Sequence, residues 1–140
     1  MKKYQHIVQY YETDQMGIVH HSNYIRWFEE ARSYLLEKIG FGYKKMEEMG
    51  IISPVLSVKA DFKTMTKYYD TVEIDVNVLK YNGIKIVINY EITDLKTGVV
   101  RCSGQSEHCF LNREGKPVSL KKEQPELNEI LSSLVSSENN

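Results

Sequence analysis

Apolar side chains in this chain follow a helical repeat before residue 50 and an alternating repeat after it, and this change of period constrains the fold most. Between residues 24 and 39 an apolar residue recurs at helical spacing. The stripe consists of Tyr24, Phe28, Ala31, Leu35 and Ile39, widened by Ile25, Trp27 and Leu36. It predicts a long helix with a broad apolar face. Ser22 or Asn23 can cap its start, and Gly40 can end it.

Alternating apolar and polar residues predict strands in the second half of the chain. The alternating segments are Leu56–Phe62, Val72–Val78 and Ile84–Ile92, and a final long strand is predicted over about Val99–Leu111, after the loop that contains Gly98. Such alternation is typical of a strand with one buried face. Before the helix, the short aromatic and β-branched segment His6–Tyr11 predicts a first strand.

Glycine and proline positions predict the connections between these elements. Asn82-Gly83 indicates a hairpin with a type I′ turn, which needs positive φ at both central residues. Residues 94–98 (DLKTG) predict a longer hairpin loop with Gly98 in the left-handed conformation. Tyr43–Met49 predicts a short helical turn, and Pro125 begins a short amphipathic helix. The apolar residues of that last helix are Leu127, Ile130, Leu131 and Leu134.

The predicted order of elements is strand, long helix, four strands and a short helix. Segregated helix and antiparallel strands indicate the α+β class. The wide apolar stripe of the helix needs a large partner, and a curled antiparallel sheet is the partner that the chain offers. We therefore expect one domain over residues 1–140, with the sheet around one long central helix and a polar tail over about residues 136–140.

Composition and charge argue against several functional classes. The formal net charge is −1, with 18 Lys and Arg against 19 Asp and Glu, so no nucleic-acid partner is expected. The polar start (KKYQH) and the lack of a run of ~20 apolar residues argue against a signal peptide and membrane insertion. We expect a cytoplasmic protein with reduced thiols. Cys102 and Cys109, seven residues apart, would face opposite sides of one strand and could not form a disulfide within it.

The loop between the first strand and the long helix carries the residues best suited to chemistry. Its sequence over residues 11–24 is YETDQMGIVHHSNY. Gly17 permits a sharp turn or a close approach of the backbone to a ligand. The following helix begins with N–H groups that lack an intrahelical acceptor, at the positive end of its dipole. Such groups stabilise an oxyanion, and Asp14 beside them can act as nucleophile or as the base that activates water.

The same residues also have ordinary structural interpretations. Aspartate is common in turns and caps, and two adjacent histidines before a helix are typical of capping or surface positions. A zinc site needs three or four convergent ligands, and His6, His20, His21 and His108 show no metal-site spacing. We expect no metal or other cofactor. From the residues alone, Asp14 can be either a turn residue or a catalyst.

The string TDQMGIVHHSNY (residues 13–24), with Trp27-Phe28 and Glu30-Ala31-Arg32 after it, resembles the signature of the 4-hydroxybenzoyl-CoA thioesterase-like hotdog proteins. It is especially similar to the YbgC-like bacterial branch of acyl-CoA thioesterases. The resemblance is dense over residues 10–32 and continues more loosely through GFGY (40–43), GI (50–51) and YYDTV (68–72). It implies a hotdog fold and a thioester hydrolase that uses neither a metal nor a nucleotide cofactor.

The resemblance also implies roles for particular residues. Asp14 would be the catalytic carboxylate, and the backbone N–H at His21 would face the thioester carbonyl oxygen. Whether the His21 imidazole takes part stays open. Ser22 and Tyr24 would orient the site, although packing is the first interpretation of Tyr24. Gly17 would let the loop approach the substrate.

In proteins of this family two subunits join their sheets edge to edge, and the acyl-CoA lies at their interface. The resemblance therefore implies a homodimer or homotetramer. The strand that begins near Val55 would supply the partner wall, with Val58, Lys59, Lys63 and Thr64 as substrate contacts. Both lysines can meet CoA phosphates, or they can form the solvated face of an amphipathic strand. The substrate would be an acyl-CoA or an acyl-carrier-protein thioester.

Two other functions compete with thioester hydrolysis. A dehydratase or hydratase of β-hydroxyacyl thioesters would pair His20 or His21 with Asp14. A non-catalytic acyl-CoA or acyl-carrier binding module would keep the pocket but would not need the carboxylate. The string around Asp14 fits the thioesterase signature better than either, and no Gly-x-Ser-x-Gly motif supports a serine hydrolase.

Overall fold

A five-stranded antiparallel sheet carries the fold in the computed structural model, which describes residues 2–135. The strands are β1 (Lys2–Ile7), β2 (Val55–Phe62), β3 (Thr71–Tyr81), β4 (Lys85–Asp94) and β5 (Val100–Cys109). Their order across the sheet is β1-β3-β4-β5-β2, and every neighbouring pair is antiparallel. The α+β class is confirmed. The polar tail predicted over residues 136–140 lies outside the described residues.

Within residues 2–135, four α-helices accompany the sheet. They are α1 (Ser22–Lys38), α2 (Tyr43–Glu48), α3 (Leu120–Glu123) and α4 (Pro125–Leu134). Most of the predicted apolar stripe is buried: Tyr24, Trp27, Phe28, Ala31 and Leu35. Leu36 and Ile39 are partly buried, and Ile25 is exposed, so the apolar face is narrower than predicted. α1 ends just before Gly40, which takes a φ of 87°. α4 begins at Pro125 and buries Leu127 and Leu131, as predicted. α3 was not predicted, because four residues are too few to show a helical period.

The core lies where α1 packs against the sheet. β3 buries Val72, Ile74, Val76 and Val78, and β4 buries Ile86, Ile88, Tyr90 and Ile92. The ring of Phe28 stacks on Tyr90 with 4.4 Å between centroids. Gly104 of β5 permits this packing, because a Cβ there would lie 2.4 Å from the Phe28 ring and 2.6 Å from the carbonyl oxygen of Lys59.

The first strand lies earlier than the sequence predicted. β1 covers Lys2–Ile7 and pairs with Thr71–Val76, whereas the sequence pattern predicts a strand over His6–Tyr11. Tyr10–Glu12 instead form one turn of 3-10 helix, because the Glu12 side chain accepts the backbone N–H of Gln9 and turns the chain. The apolar character of the segment was misleading, since the Tyr10 and Tyr11 rings are exposed.

The apolar alternation of β2 does not produce a buried face in this chain. Val55, Leu56, Val58 and Phe62 are all exposed, and Ala60 alone in β2 is partly buried. The physical reason is the position of β2 at the edge of the sheet, where it pairs with β5 on one side only.

The hairpin between β3 and β4 is present, but its turn differs from the predicted type. Gly83 has a φ of 91°, whereas Asn82 is not among the residues with positive φ. The Asn82 side-chain oxygen accepts the N–H groups of Ile84 and Lys85, at 2.9 and 2.8 Å. These two bonds stabilise a turn in which Asn82 does not take the left-handed conformation that a type I′ turn needs at its first central residue. Gly98, by contrast, has the predicted positive φ, at 74°.

The two cysteines lie on β5, as predicted, and both are free thiols. Cys102 points into the core and Cys109 is partly buried. Burial raises the pKa of the Cys102 thiol to about 12, so this thiol is protonated and unreactive at neutral pH.

Candidate active site

The loop of residues 13–19 is a tight turn closed by its own backbone. Thr13 and Val19 form an antiparallel bridge, and the Asp14 N–H donates to the Ile18 carbonyl at 2.8 Å. Gly17 has a φ of 78° and donates its N–H to the Asp14 carbonyl at 3.0 Å. The predicted sharp turn at Gly17 is therefore present, and it holds the backbone of Asp14 in place.

The Asp14 carboxylate takes part in the turn and also lines a cavity. Its Oδ1 accepts the backbone N–H of Met16 at 2.8 Å. Its other oxygen, Oδ2, has no hydrogen-bond donor within residues 2–135. The structural interpretation of Asp14 as a turn residue is thus correct, and it leaves one carboxylate oxygen available for chemistry.

The start of α1 offers one free backbone donor. His21 is the N-cap, and the N–H groups of the next three residues are all occupied. Ser22 donates to His20 Nδ1, Asn23 to the His20 carbonyl and Tyr24 to the His21 carbonyl. The His21 N–H meets no acceptor in the described part of the chain. It lies at the positive end of the α1 dipole, which adds to its attraction for negative charge.

Asp14 and His21 line the same cavity, of about 350 Å³. The other residues that line it are Met16, Ile18, Val19, His20, Tyr24, Phe62, Lys63, Thr64 and Met65. Five of the nine site residues expected from the sequence therefore meet here: Asp14, His21, Tyr24, Lys63 and Thr64. The cavity combines a carboxylate, two imidazoles and one lysine with apolar walls.

The remaining four expected residues do not line this cavity. The Ser22 hydroxyl is occupied by His20 Nδ1 at 2.9 Å and by Arg26 Nη1 at 3.0 Å. Gly17 shapes the loop without lining the cavity, and Val58 is exposed on the edge strand. Lys59 lines a different depression, of about 510 Å³, on the outer face of the sheet.

Two hydroxyl groups in the cavity wall are already bonded. Tyr24 donates its hydroxyl to Thr66 Oγ1 at 2.9 Å, and burial raises the pKa of Tyr24 above its usual value. The Thr64 hydroxyl donates to the Val100 carbonyl at 2.7 Å. The Tyr24 ring packs against Trp27 and Phe62, with centroids 5.1 and 5.5 Å apart. Tyr24 therefore acts first as a packing residue, in line with the first interpretation from sequence.

Glu12 was missed by the sequence analysis, although it lies two residues before Asp14. Its side chain is buried, with the residue only 3% exposed. Oε1 accepts His6 Nε2 and the Gln9 N–H, both at 2.8 Å, and Oε2 accepts Trp27 Nε1 at 2.8 Å. The one local signal was the spacing of Gln9 and Glu12, which matches a capping box.

The His6 imidazole lies between two carboxylates. Its Nε2 is 2.8 Å from Glu12 and its Nδ1 is 3.3 Å from Glu30. Burial alone lowers the pKa of His6, but hydrogen bonds to Glu30 and Glu12 outweigh this and raise it above 6.5. The hydrogen bond to His6 lowers the pKa of Glu30. Burial, with the hydroxyl bond to Glu30, raises the pKa of Tyr4 to about 12.

Phe62 and Met65 also line the cavity without having been predicted. The alternation places Phe62 on the apolar face of β2, whereas its side chain is exposed at the strand end.

Within residues 2–135 no three His, Cys, Asp or Glu side chains come together as a metal site would require. None of the helices described is long and apolar enough to cross a membrane.

Residues 8–131 match the thioesterase-like superfamily. A putative acyl-CoA thioesterase of Bacillus subtilis, YneP, is 37% identical over 85% of this chain and 86% of its own length. The acyl-CoA thioesterase YbgC of Helicobacter pylori is 32% identical over 61% of this chain and 62% of its own. The crystal structure of a DHNA-CoA thioesterase from Staphylococcus aureus superposes with a TM-score of 0.88 at 34% identity, covering 94% of this chain and 88% of that one.

Proposed function

Because the chain belongs to the thioesterase-like superfamily, we propose that it is an acyl-CoA thioesterase that hydrolyses its substrate in the Asp14 cavity. The observation that carries the proposal is the arrangement of two groups in this cavity. Within residues 2–135, one oxygen of the Asp14 carboxylate and the backbone N–H of His21 meet no hydrogen-bond partner, and both residues line the same cavity. Thioester hydrolysis needs both, one to deliver the nucleophile and one to stabilise the oxyanion.

In the proposed reaction, the thioester carbonyl oxygen accepts the His21 N–H. Negative charge develops on this oxygen in the tetrahedral intermediate, where the N–H and the α1 dipole stabilise it. Losing one donor of this kind costs about 2.7–4 kcal/mol of transition-state stabilisation. The intermediate collapses by breaking the C–S bond. The CoA thiolate leaves without a strong general acid, because a thiolate is a comparatively stable anion.

Asp14 can deliver the nucleophile by either of two routes. As a base, it takes a proton from water while the water oxygen attacks the carbonyl carbon, and the products are the free acid and the CoA thiol. As a nucleophile, its free oxygen attacks the carbonyl carbon and forms a mixed anhydride, which water then hydrolyses. Rapid quenching followed by mass spectrometry of the Asp14 peptide separates the routes, since an acyl adduct forms only in the second.

The position of β2 supports assembly through the sheet edge. In the part of the chain that the structure describes, β2 is an edge strand with one row of unpaired backbone groups and four exposed apolar side chains. This is the type of edge that pairs with another strand. In a two-fold dimer, β2 would run antiparallel to its copy, so the Phe62 end of one strand would meet the Val55 end of the other. The second copy would then cover the Asp14 cavity. In this proposal each chain is one hotdog domain, with α1 as the central helix.

An anionic substrate is favoured by Lys63, whose positive charge lies among the residues that line the cavity. We propose that it meets a CoA phosphate at the mouth, while the apolar side chains of Met16, Ile18, Phe62 and Met65 contact the acyl group.

In the described residues Asp14 forms no hydrogen bond or ion pair with His20 or His21. The hydratase alternative, which requires such a pair, therefore has less support.

A panel of acyl-CoA substrates tests the proposal. Purified protein is incubated with aliphatic thioesters of increasing length and with aroyl thioesters, and free thiol is followed with a chromogenic disulfide. We expect thiol release above the buffer rate from at least one member. The matching acyl-carrier-protein thioester is run beside the best substrate. Release from no member of either set would contradict the proposal, and hydration of an enoyl-CoA without thiol release would support the hydratase instead.

A further inference from the structure

The Glu12 side chain joins three parts of the structure that meet beside the Asp14 loop. Its carboxylate accepts a hydrogen bond from β1 through His6, from the 3-10 turn through the Gln9 N–H and from α1 through Trp27 Nε1. All three bonds are 2.8 Å long, and the residue is buried. A buried carboxylate with three donors is firmly held, because hydrogen bonds to a charged group are stronger than neutral ones.

The Glu12 backbone ties both ends of the loop together. Its carbonyl oxygen accepts the His20 N–H at 2.9 Å and the Asn23 side-chain amide at 2.9 Å. His20 directly precedes His21, whose N–H is the free donor in the cavity. One residue is therefore bonded to the first two turns of α1, through Asn23 and Trp27, and to the far end of the loop that carries Asp14.

We propose that Glu12 is a positioning residue, which holds the Asp14 loop against the start of α1. The inference rests on the proposed function, since the distance that Glu12 sets is the one between the Asp14 carboxylate and the His21 N–H. Glu12 itself does not line the cavity. A displacement of about 1 Å between reacting groups can reduce the rate of a reaction about 100-fold.

Glu12→Gln is the most direct variant. It keeps the shape of the side chain but replaces one acceptor oxygen with an amide donor, and three donors already point at this carboxylate. At least one of them must lose its acceptor. We expect kcat to fall at least about tenfold while KM stays within about twofold. Trp27→Phe removes a single donor, and we expect a smaller fall of kcat in the same direction.

Tyr81→Phe is a matched control for general loss of stability. It also removes one side-chain hydrogen bond, from the Tyr81 hydroxyl to Asn128 at 2.6 Å, but it lies between β3 and α4. We expect its kcat to equal that of the wild type. If Glu12→Gln lowers kcat no more than Tyr81→Phe at an equal change in melting temperature, Glu12 is merely structural and the proposal is wrong.

Amide hydrogen exchange provides a readout that does not depend on activity. The Asp14 and His20 N–H groups close the loop through bonds to Ile18 and Glu12. In Glu12→Gln we expect both to exchange about tenfold faster, while amides in β4 keep their wild-type rates. If the wild type releases no thiol, the proposed function fails, and exchange still decides whether Glu12 holds the loop. Unchanged exchange at both amides would overturn the inference even if the enzyme is active.

Discussion

The imidazole of His108 lies 2.9 Å from the guanidinium of Arg32, at a buried contact between β5 and α1. Ser106 Oγ is 2.7 Å from the same imidazole nitrogen. No carboxylate in the described range 2–135 forms an ion pair with Arg32. Burial, and then the neighbouring guanidinium, lower the pKa of His108 to about 4. The positive charge of Arg32 is therefore buried beside a histidine that stays neutral at neutral pH.

The neutral His108 predicts a loss of stability in mild acid. Between about pH 6.5 and pH 4 the unfolded chain binds a proton at this histidine and the folded chain does not. The contribution is complete above pH 6.5 and falls as the pH decreases, by at most about 1.4 kcal/mol per pH unit. Urea unfolding from pH 7 to pH 4 should show a shallower pH dependence for His108→Gln than for the wild type. Equal slopes would contradict the assignment, because the carboxylates contribute to both proteins alike.

His6 predicts a pH effect of opposite sign. Its pKa is raised in the folded protein, so the stabilisation by Glu12 and Glu30 is complete below about pH 6.5 and is lost as the pH rises through the raised value. The Tyr4 hydroxyl, with a pKa of about 12, does not titrate in this window. We expect the free energy of unfolding of the wild type to decrease from pH 6 to pH 9 relative to His6→Gln. Parallel curves over this range would show that His6 is not the group responsible.

Gly104 predicts a steric effect that hydropathy does not show. An added Cβ would meet the Phe28 ring and the Lys59 carbonyl oxygen, and the carbonyl is backbone that cannot rotate away. Overpacking of this kind costs about 1–3 kcal/mol, so Gly104→Ala should lower the free energy of unfolding by that amount. Ser103→Ala, the neighbouring position on the outer face of β5, is the control and should change it by less than about 0.5 kcal/mol. Equal effects of both substitutions would mean that the close approach at Gly104 is unimportant.

The edge strand β2 predicts the effect of a charge on assembly. Val58 lies near the middle of β2 and is exposed in the single chain. In the proposed dimer two glutamates from Val58→Glu would lie near the two-fold axis and repel each other. We expect a shift to monomer in light scattering after gel filtration, with loss of thiol release. Ile84→Glu, at an exposed apolar residue of the β3–β4 turn, should leave the assembly unchanged. A monomeric wild type would contradict the edge pairing itself.

The sequence predicts the inner strands well, because one face of each inner strand packs on the core and the other does not. β3 and β4 each have neighbours on both sides, so their burial follows the period of two. β1 and β2 are edge strands, and the apolar pattern does not predict them correctly. Lys2–Ile7 forms a strand although it contains no apolar run, and the apolar residues of β2 are exposed although they alternate with polar ones. Position in the sheet is a tertiary property that local pattern does not contain.

In the candidate site, too, the sequence predicts residues that are close along the chain and misses residues that only folding brings together. Asp14, Gly17 and His21 belong to one continuous string, so the sequence names all three as candidates together. Glu12 was missed because glutamate is rarely buried unless paired, and one of its partners, Trp27, is fifteen residues away. Phe62 joins the cavity from the end of β2, far along the chain. Such contacts become visible only once the chain is folded.

Asp14→Asn is the decisive variant for the proposal that the Asp14 carboxylate performs thioester hydrolysis. The amide keeps an oxygen that can accept the Met16 N–H, so the turn is retained, but it can neither take a proton from water nor attack the thioester. The decisive measurement is kcat for thiol release from the best acyl-CoA of the panel, with equal melting temperatures as the control. We predict a decrease of at least about 100-fold. Release by Asp14→Asn at the wild-type rate would contradict the assignment of the site.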